Sequence, residues 1–369
     1  MPACAPSLSP AELDAFAREL DAVRADVMAD LGQRDVTHIR RVIGASYVSA
    51  AVGRSLLHFG VGPVSFVAGV GCLALTKILD CMEIGHNVMH GQYDWAKDPA
   101  LDSHRFEWDI TCDPRDWRHY HNYEHHTHTS ITGKDRDIGY IFLRVTPEQR
   151  WYPLHVLQPF YATILMVNFQ WGVGVHDLHL DDFVFRKQTW GQLWRRAQPF
   201  LRKSGLLLFK DYVFFPAIAL ANAPRVLLGN LLANGLRNIW AFTVIFCGHF
   251  SEGVEVFDER ECADESRGEW YVRQAHGSAN LAGGPLFCLM TGHLSHQIEH
   301  HLFPDIPSAR YYEIGPRVRE ICERYGVRYN TGSLWTQFGS VVRNICRHSW
   351  PTRGSHKVPA TAAAAGVVV

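Results

Sequence analysis

Apolar residues along this chain gather in two pairs of long runs, and polar segments separate the pairs. The first pair covers residues 42–59, where Arg54 is the one charged residue, and residues 61–76, which carry no charge. The second pair covers 206–223 and 226–250, and its charged residues are Lys210, Asp211, Arg225 and Arg237. A helix needs about 20 mostly apolar residues to cross a bilayer. We therefore predict four membrane spans in two helical hairpins, near 42–59, 61–80, 206–224 and 226–249.

An amphipathic helix is predicted to open the chain, in a cytoplasmic segment over residues 1–40. Ser9-Pro10-Ala11-Glu12 has the form of a capping box with proline at the first helical position. Apolar side chains then recur on one helical face, at Leu13, Phe16, Leu20, Val23 and Val27. Such a face predicts that the helix packs against the body of the protein.

Basic residues before the hairpins indicate the orientation of the chain. Arg40 and Arg41 precede the first hairpin, and a second basic group precedes the other, Arg195, Arg196, Arg202 and Lys203. Positive charges that flank a span favour the cytoplasmic side. We therefore expect a multi-pass protein of the cell membrane with a cytoplasmic N-terminus.

Composition limits the partners that the chain is expected to bind. Its 36 basic and 37 acidic residues give a net charge of -1, which provides no electrostatic basis for binding nucleic acid. The nine cysteines contain no C-x-x-C pair, so free thiols in a reducing compartment are expected. Near the end, helices are predicted over 316–325 and near 334–348. Residues 350–369 have low complexity and are predicted to be disordered, which leaves 41–349 as the membrane domain.

Histidines cluster at three separate places in the chain. His121-Asn-Tyr-Glu-His125-His126 and His296-Gln-Ile-Glu-His300-His301 each end in a histidine pair, and His86-Asn-Val-Met-His90 has histidines four apart. On a helix, residues four apart share a face, and adjacent residues point about 100° apart and can serve two ions. Imidazole is the commonest neutral nitrogen ligand of transition metals. The pattern predicts a polynuclear metal centre.

Carboxylates beside the histidines are candidates for orienting the rings. They are Glu124, Asp135, Asp137 and Glu299. Gly133 predicts a turn that returns the two aspartates to the helix of residues 121–126.

A third apolar stretch, residues 151–175, is predicted not to cross the membrane. Ligands of one metal centre must lie on one side of a bilayer, so an even number of crossings must separate 121–126 from 300–301. The predicted hairpin over 206–250 already supplies two crossings. We interpret 151–175 as an interfacial or buried helix.

The complete set of motifs resembles the integral-membrane fatty acid desaturases. The second and third boxes carry the resemblance through His121-Asn122, Gly133-Lys-Asp-Arg-Asp137 and Gln297-Ile-Glu-His-His-Leu-Phe-Pro304. Ile84-Gly-His-Asn-Val-Met-His-Gly-Gln92, Phe246-Cys-Gly-His-Phe250 and residues 317–325 are similar to the bacterial stearoyl-CoA delta-nine desaturases, which receive electrons from a separate NADPH-dependent reductase. The likeness extends from about residue 10 to about residue 345.

The resemblance implies an all-α integral membrane protein with four spans in two hairpins and a cytoplasmic helical cap that holds two iron ions. It implies dioxygen as co-substrate, a fatty acyl-CoA or related thioester as substrate, membrane lipid as surroundings, and an external NADPH-dependent reductase or ferredoxin-type donor. The implied catalytic and metal-binding residues are His86, His90, His121, His125, His126, His249, His300 and His301. Gln297 stands where many desaturases have a histidine, so either Gln297 or adjacent His296 is an additional candidate ligand.

The sequence differs from the desaturase pattern at two positions, and several alternative functions are also compatible with its motifs. Ser130 replaces a usual asparagine, and Ile245 lacks the polar group that some relatives place four residues before His249. A membrane di-iron hydroxylase of alkanes, sterols or other lipids is the main alternative, because one centre can insert oxygen or remove hydrogen. His121-x-x-Glu124-His125 also fits the H-x-x-E-H pattern of zinc peptidases. A metal carrier is the non-enzymatic alternative.

Position along a saturated chain must be selected by shape, because one methylene resembles the next. We therefore expect a narrow apolar tunnel lined by the spans and by residues 152–171. A polar head group would then rest near basic residues, with Arg115, Arg118, Arg195 and Arg196 as candidates. The absence of a G-x-G-x-x-G or haem-attachment motif predicts that electrons come from another protein.

Overall fold

The computed structural model describes residues 8–351 and is built almost entirely from helices. The predicted disordered tail falls outside the described residues from position 352 onward. The α-helices are α1 (Pro10–Ala29), α2 (Gln33–Phe59), α3 (Gly62–Ile78), α4 (Asn87–Met89), α5 (Pro114–Trp117), α6 (His126–His128), α7 (Gln158–Val167), α8 (Phe169–His176), α9 (Leu180–Val184), α10 (Trp190–Leu208), α11 (Phe215–Ile218), α12 (Ala223–Phe250), α13 (Arg267–His276), α14 (Pro285–Met290), α15 (Gln297–Leu302), α16 (Ala309–Arg324) and α17 (Leu334–His348).

Shorter elements complete the described chain. Three π-helices cover Leu79–His86, Arg118–His125 and Phe209–Phe214. The 3₁₀-helices are Asp94–Ala96, Ile138–Ile141, Pro153–Leu157, Leu220–Asn222 and Leu294–His296. The strands β1 (Asn280–Leu281) and β2 (Thr331–Gly332) pair in parallel, with Asn280 opposite Thr331.

The predicted opening helix is present as α1 and packs as expected. Ser9 accepts a hydrogen bond from Glu12 N while the Glu12 carboxylate accepts one from Ser9 N, so the predicted capping box is formed. The predicted apolar face is buried at Phe16, Leu20 and Val23. It packs in one hydrophobic cluster with side chains from α13, α15 and α16.

Two helical stretches are long and apolar enough to cross a membrane, among the residues described. They are Gly62–Met89, in which α3 continues through a π-helix into α4, and Leu220–Phe250, which contains α12. They include the predicted runs 61–80 and 226–249. The run 42–59 instead forms the second half of α2, whose first turns are polar, and the run 206–224 is divided among α10, a π-helix, α11 and a 3₁₀-helix.

The helices α2, α3 and α12 pack side by side through small residues. A Cβ atom on Gly229 would lie 2.6 Å from Leu57 Cδ1, and one on Gly69 would lie 3.0 Å from Leu57 Cδ2. Leu57 is fully buried between these two glycines. Without a side chain at either glycine, the three backbones can approach closely, as helices in membranes commonly do.

The apolar stretch 151–175 does not form one long helix. A 3₁₀-helix at Pro153–Leu157 leads into α7, and Asn168 separates α7 from α8. The helical part Pro153–Val167 is shorter than a spanning helix.

The helix predicted to begin at Pro316 begins seven residues earlier, at Ala309. Pro316 lies inside α16, so the prediction that it occupies the first turn was wrong. A proline inside a helix removes one backbone hydrogen bond, but Ile314 and Val318 on either side are buried and hold the helix in place. The helix ends at Arg324, two residues before Gly326, which has φ +67°, and α17 has the predicted bounds.

We predict that Arg310 contributes strongly to stability because it joins α2 to α16 in a buried ion pair. Its side chain is 3% exposed, and Nε and Nη2 lie 2.6 and 2.9 Å from the Asp35 carboxylate. Replacement by alanine leaves Asp35 buried and unpaired, which costs about 3–5 kcal/mol. Arg310→Ala should lower the thermal unfolding midpoint of the detergent-purified protein.

The control is Arg34→Ala, which removes a neighbouring arginine whose side chain is 56% exposed and pairs with Asp30 and Glu313. Exposed pairs contribute about 0–1 kcal/mol, so its midpoint should stay close to that of the unmodified chain. Equal losses from the two variants would contradict the prediction.

Candidate metal centre

The first histidine segment lies on a π-helix rather than on the predicted regular α-helix. Residues Leu79–His86 form the π-helix, and α4 carries the chain on to His90. The rings of His86 and His90 still face each other, with centroids 4.6 Å apart. A π-helix inserts an extra residue into a helical turn and is frequent at functional sites.

A second π-helix, Arg118–His125, carries the next histidine segment. It follows α5 without a break, and the Trp117 ring stacks on His121 with centroids 4.4 Å apart. The rings of His125 and His126 are nearly perpendicular, at 78°. The adjacent histidines therefore address different parts of the site, as predicted.

The third segment reaches the site through two consecutive left-handed residues. Gly292 has φ +65° and His293 has φ +56°, and α15 begins shortly afterwards at Gln297. A Cβ atom on Gly292 would lie 2.5 Å from the Met82 carbonyl carbon, so a side chain does not fit there. This contact brings the segment of His300 and His301 directly against the π-helix of His86.

The three segments and the end of α12 place their ring nitrogens in two groups that could each hold a metal ion. One group is His86, His90, His121 and His300, and the other is His125, His249 and His301. Within each group, the ligand atoms lie within 4.8 Å of one another. His126 lies beside both groups, with its ring stacked on His301 at 4.5 Å and 4.7 Å from His300. All eight predicted histidines therefore converge.

Six of these histidines have a buried Nε2 atom with no hydrogen-bond partner among the described residues. They are His90, His121, His125, His126, His300 and His301. Buried polar atoms in proteins are nearly always paired, and an unpaired one requires an explanation. A crowd of six unpaired imidazole nitrogens is explained by metal ions that accept their lone pairs.

The opposite ring nitrogen, Nδ1, contacts an oxygen atom in four of the histidines. His86 Nδ1 lies 3.0 Å from Asn87 Oδ1, and His125 Nδ1 lies 3.0 Å from Asp135 Oδ1. His301 Nδ1 lies 3.1 Å from Thr129 Oγ1, and His300 Nδ1 lies 3.3 Å from Tyr311 Oη. An oxygen acceptor at Nδ1 fixes the proton there and leaves the Nε2 lone pair free for a metal.

Of these four anchors, the sequence pointed to Asp135 alone. Asn87, Thr129 and Tyr311 were missed, because asparagine, threonine and tyrosine are common in every protein and carry no motif. Asn87 follows His86 directly, and this adjacency is the one signal available in the sequence. Thr129 and Tyr311 reach His301 and His300 from 172 and 11 residues away.

The four candidate carboxylates have different surroundings. Asp135 accepts backbone hydrogen bonds from Ser130 and Asp137, and the predicted turn at Gly133, with φ +86°, makes this possible. Asp137 Oδ1 lies 3.1 Å from His176 Nε2, and Asp137 Oδ2 lies 3.7 Å from His121 Nδ1. The two aspartates therefore lie beside the histidines, as predicted.

The two glutamates do not reach the grouped nitrogens. Glu124 pairs with the half-exposed His119 at 3.3 Å. Glu299 accepts hydrogen bonds from Tyr329 Oη at 2.7 Å and Asn280 Nδ2 at 2.9 Å, and burial raises its pKa to about 7. A zinc peptidase would need one of these glutamates beside the metal-bound water, so the geometry disfavours that alternative.

Gln297, rather than His296, faces the histidines. Gln297 Nε2 lies 3.1 Å from His249 Nε2, and Gln297 Oε1 is buried without a partner among residues 8–351. His296 points elsewhere, with its ring centroid 5.9 Å from that of Tyr312. An amide oxygen at this place can serve as a metal ligand.

The surroundings hold most of the grouped imidazoles neutral, and His125 is the exception. Burial and the neighbouring rings hold the pKa of His126, His300 and His301 well below the ordinary histidine value. Burial alone would lower the pKa of His125 as well, but the Asp135 and Asp137 carboxylates raise it to about 9. Metals bind imidazole in its neutral form, and a carboxylate on the far nitrogen strengthens the ring as a ligand.

Comparison with known proteins identifies the family. A family model described as fatty acid desaturase matches residues 58–333. The chain belongs to the fatty acid desaturase family. This desaturase is 42% identical over 350 residues to the NADPH-dependent stearoyl-CoA 9-desaturase of Mycobacterium tuberculosis, covering 94% of this chain and 82% of that relative. It is also 29% identical over 286 residues to the sn-1 linoleoyl-lipid 6-desaturase of Synechocystis sp., covering 72% and 76% of the two chains.

The desaturase has a mainly apolar cavity beside the histidines. One part of its wall is formed by His86, His121, His249 and Gln297. Much of the remaining wall is apolar or aromatic, with Met82, Trp108, Ile110, Trp117, Tyr140, Phe169, Val173, Ala241, Ile245 and Leu294. We refer to this space as the acyl cavity. The π-helix Leu79–His86, α8 and α12 contribute to it. Of the segments predicted to line a tunnel, 226–249 and the stretch 152–171 supply wall residues, whereas 42–59 and 206–224 supply none.

The predicted head-group arginines do not line the acyl cavity. Arg115 pairs with Asp113, and Arg118 donates to the Ser103 carbonyl. Arg196 comes nearest to the cavity, because its guanidinium lies 5.5 Å above the ring of Tyr120, which does line it.

We predict that Asp135→Asn weakens metal binding while Glu124→Gln does not. Both substitutions remove one negative charge from the same histidine segment, but Asp135 alone contacts a grouped histidine. Loss of a carboxylate partner of a metal-binding histidine typically reduces metal affinity or activity about 10–100-fold. Metal content after purification, measured by elemental analysis together with monodispersity, distinguishes the two variants. Equal metal content in both would contradict the assigned role of Asp135.

Proposed function

We propose that this desaturase introduces a cis double bond into a saturated fatty acyl thioester, at the delta-nine position of an acyl-CoA. One observation carries the proposal: two groups of buried imidazole nitrogens, most of them unpaired among residues 8–351, lie beside a mainly apolar cavity. The relative in Mycobacterium tuberculosis is named for the same reaction on stearoyl-CoA. Its name supports both the acyl-CoA substrate and the delta-nine position of the double bond.

The donor set fits two iron ions. Imidazole nitrogens supply almost all donors, and the second group can add the amide oxygen of Gln297, a combination that suits iron. In the first group His86, His90, His121 and His300 would hold one ion, and in the second His125, His249, His301 and Gln297 would hold the other, with His126 between them. The chemistry that a bound iron pair supplies is the reductive activation of dioxygen, which allows hydrogen to be removed from an unactivated methylene.

The residues of this chain fix the orientation of the histidine rings and exclude water from the acyl cavity. Anchored Nδ1 atoms hold the rings of His86, His125, His300 and His301 at fixed angles, so little reorganisation accompanies the reaction. Trp117 covers His121 and lines the acyl cavity, where it excludes water from the reacting methylenes. An apolar chain in the cavity gains about 0.8 kcal/mol for each buried methylene, which holds it at a set depth.

The desaturase receives its electrons from a separate protein, in this proposal an NADPH-dependent reductase or a ferredoxin-type donor. The sequence contains no G-x-G-x-x-G motif for a dinucleotide. The relative named as NADPH-dependent supports the same source of electrons. The coenzyme A group would lie at the mouth of the cavity near Tyr120 and Arg196, where a guanidinium is available for phosphate.

The proposed topology keeps four spans, near 42–59, 61–80, 206–224 and 226–249, with the helical cap and the site on the cytoplasmic side. His86 and His249 stand at the ends of the two long apolar stretches and meet the cap histidines there. Because His86 and His249 meet at one site, an even number of crossings must separate them. The stretch Leu220–Phe250 is one of these crossings, so a further crossing between residues 89 and 220 is required, and this supports a second hairpin. In this arrangement 1–40 is cytoplasmic and 41–349 is the membrane domain.

We predict that His126→Ala abolishes alkene formation and lowers the iron content of the purified protein. Replacement of a ring beside both groups removes a donor and leaves a polar cavity. The matched control is His296→Ala, whose ring lies against Tyr312 outside the groups and should retain iron and activity. The assay uses stearoyl-CoA, NADPH and an added reductase, and products are identified by mass spectrometry.

Two outcomes of this assay would overturn the proposal. An alcohol in place of an alkene from the unmodified chain would make the protein a hydroxylase. Alkene formation with NADPH but without added reductase would contradict an external electron source.

We predict that residues at the two ends of the spans label on opposite sides of the membrane. Cysteine introduced at Val61 or Leu220, both strongly exposed, should react with a membrane-impermeant thiol reagent in intact cells. Cysteine at Arg105 or Arg343, beside the histidine-bearing cap, should react only after lysis, relative to the unmodified chain. Reaction of all four in intact cells would rule out the proposed topology.

A further inference from the structure

The acyl cavity extends from the histidines to a buried arginine. One face of α12 lines it with residues at helical spacing, namely His249, Ile245, Ala241, Asn238 and Arg237. An α-helix rises 1.5 Å per residue, so Arg237 lies roughly 18 Å along the helix from His249. The histidines therefore occupy one end of this stripe and a guanidinium the other.

Amide groups hold Arg237 at the end of the cavity. Its side chain is 1% exposed, Nε donates to Asn238 Oδ1 at 3.0 Å, and Nη2 donates to Asn234 Oδ1 at 3.3 Å. Gln170, which also lines the cavity, donates its backbone N–H to Asn238 Oδ1 at 3.3 Å. The cavity thus ends on polar groups from two helices, α8 and α12.

A network of buried charges supports this polar wall from behind. Asn234 Nδ2 donates to Asp211 Oδ2 at 3.0 Å, and Asp211 also pairs with Lys77 at 2.8 Å and with Arg54 at 3.3 Å. These contacts join α2, α3, α12 and the π-helix at Phe209–Phe214. Moving the wall would separate buried charges from their partners, so the wall resists displacement.

We propose that Arg237 determines the longest acyl chain that the desaturase accepts. The methyl end of a chain gains free energy only while it contacts apolar groups, and contact with a guanidinium and two amides would interrupt their hydrogen bonds without replacing them. An acyl chain fits if its methyl end reaches no farther than Arg237 when its reacting methylenes lie at the histidines. A longer acyl chain does not fit. The inference rests on the proposed function for the identity of the occupant.

The test compares three variants with the unmodified chain on saturated acyl-CoA substrates of increasing length. Arg237→Leu removes the charge and shortens the side chain, and it should raise kcat/KM for longer substrates relative to the preferred one by about tenfold or more. Ala241→Leu fills the cavity part-way along the stripe and should shift the preference to shorter substrates. Arg237→Lys keeps a positive charge and should keep the original preference.

Binding gives a second readout that needs no catalysis. Thermal stabilisation of each purified variant by the same acyl-CoA series should follow the same order of chain lengths. The unmodified chain could make no alkene while the variants still change which acyl-CoA length binds best. In that case the proposed function fails and the assignment of Arg237 stands.

The proposal would be overturned if Arg237→Leu kept the chain-length preference of the unmodified chain in both turnover and binding. If Arg237→Leu does not accumulate, Arg237→Gln takes its place, because its amide can still bond to the neighbouring asparagines while the charge is lost. A preference in Arg237→Gln that equals that of the unmodified chain would overturn the proposal equally.

Discussion

The rest of the structure depends on six imidazole nitrogens that are buried together and have no hydrogen-bond partner within residues 8–351. Leaving them dry and unpaired is costly, and burial and mutual repulsion make protonation of most of them costly as well. Metal ions bound by these nitrogens would relieve this cost for all of them at once. The oxygen anchors at Nδ1, the tight contact at Gly292 and the aspartate turn after Gly133 each hold a ring so that its Nε2 atom faces this common space.

The π-helices determine the direction in which several of the histidine side chains point. His86 and His121 each lie on a π-helix, and each belongs to the group that also contains His300. A π-helix widens one turn of the backbone, which changes the direction of the side chains that follow. In this way an apolar helix such as α3 can pack against its neighbours and still present histidines to the cap at its end.

Charges buried between the long helices have a structural role distinct from that of the histidines. Lys77 and Arg54 both pair with Asp211 among the apolar helices α2, α3 and α12. Ionisable groups at such depth are expensive and persist where neighbouring groups satisfy them. Asp211 also accepts a hydrogen bond from Asn234, which in turn accepts one from Arg237 in the wall of the acyl cavity.

Local pattern in the sequence determined much of this protein. Features that depend on residues a few positions apart could be predicted, namely the capping box at Ser9, the apolar face of α1, the bounds of α17 and the apolar runs within α3 and α12. The eight histidines come from distant segments, and their convergence was predicted from the histidine motifs together with the resemblance to a known family. Predictions that assumed regular α-helices or ordinary proline behaviour failed at the π-helices and at Pro316, where packing outweighs local preference. Only the tertiary structure decided which atoms meet: Thr129 beside His301, Tyr311 beside His300, Gln297 rather than His296 at the centre, and Arg237 at the end of the cavity. Such contacts join residues whose individual types carry no signal, and they form only when the burial of the whole chain brings distant segments together.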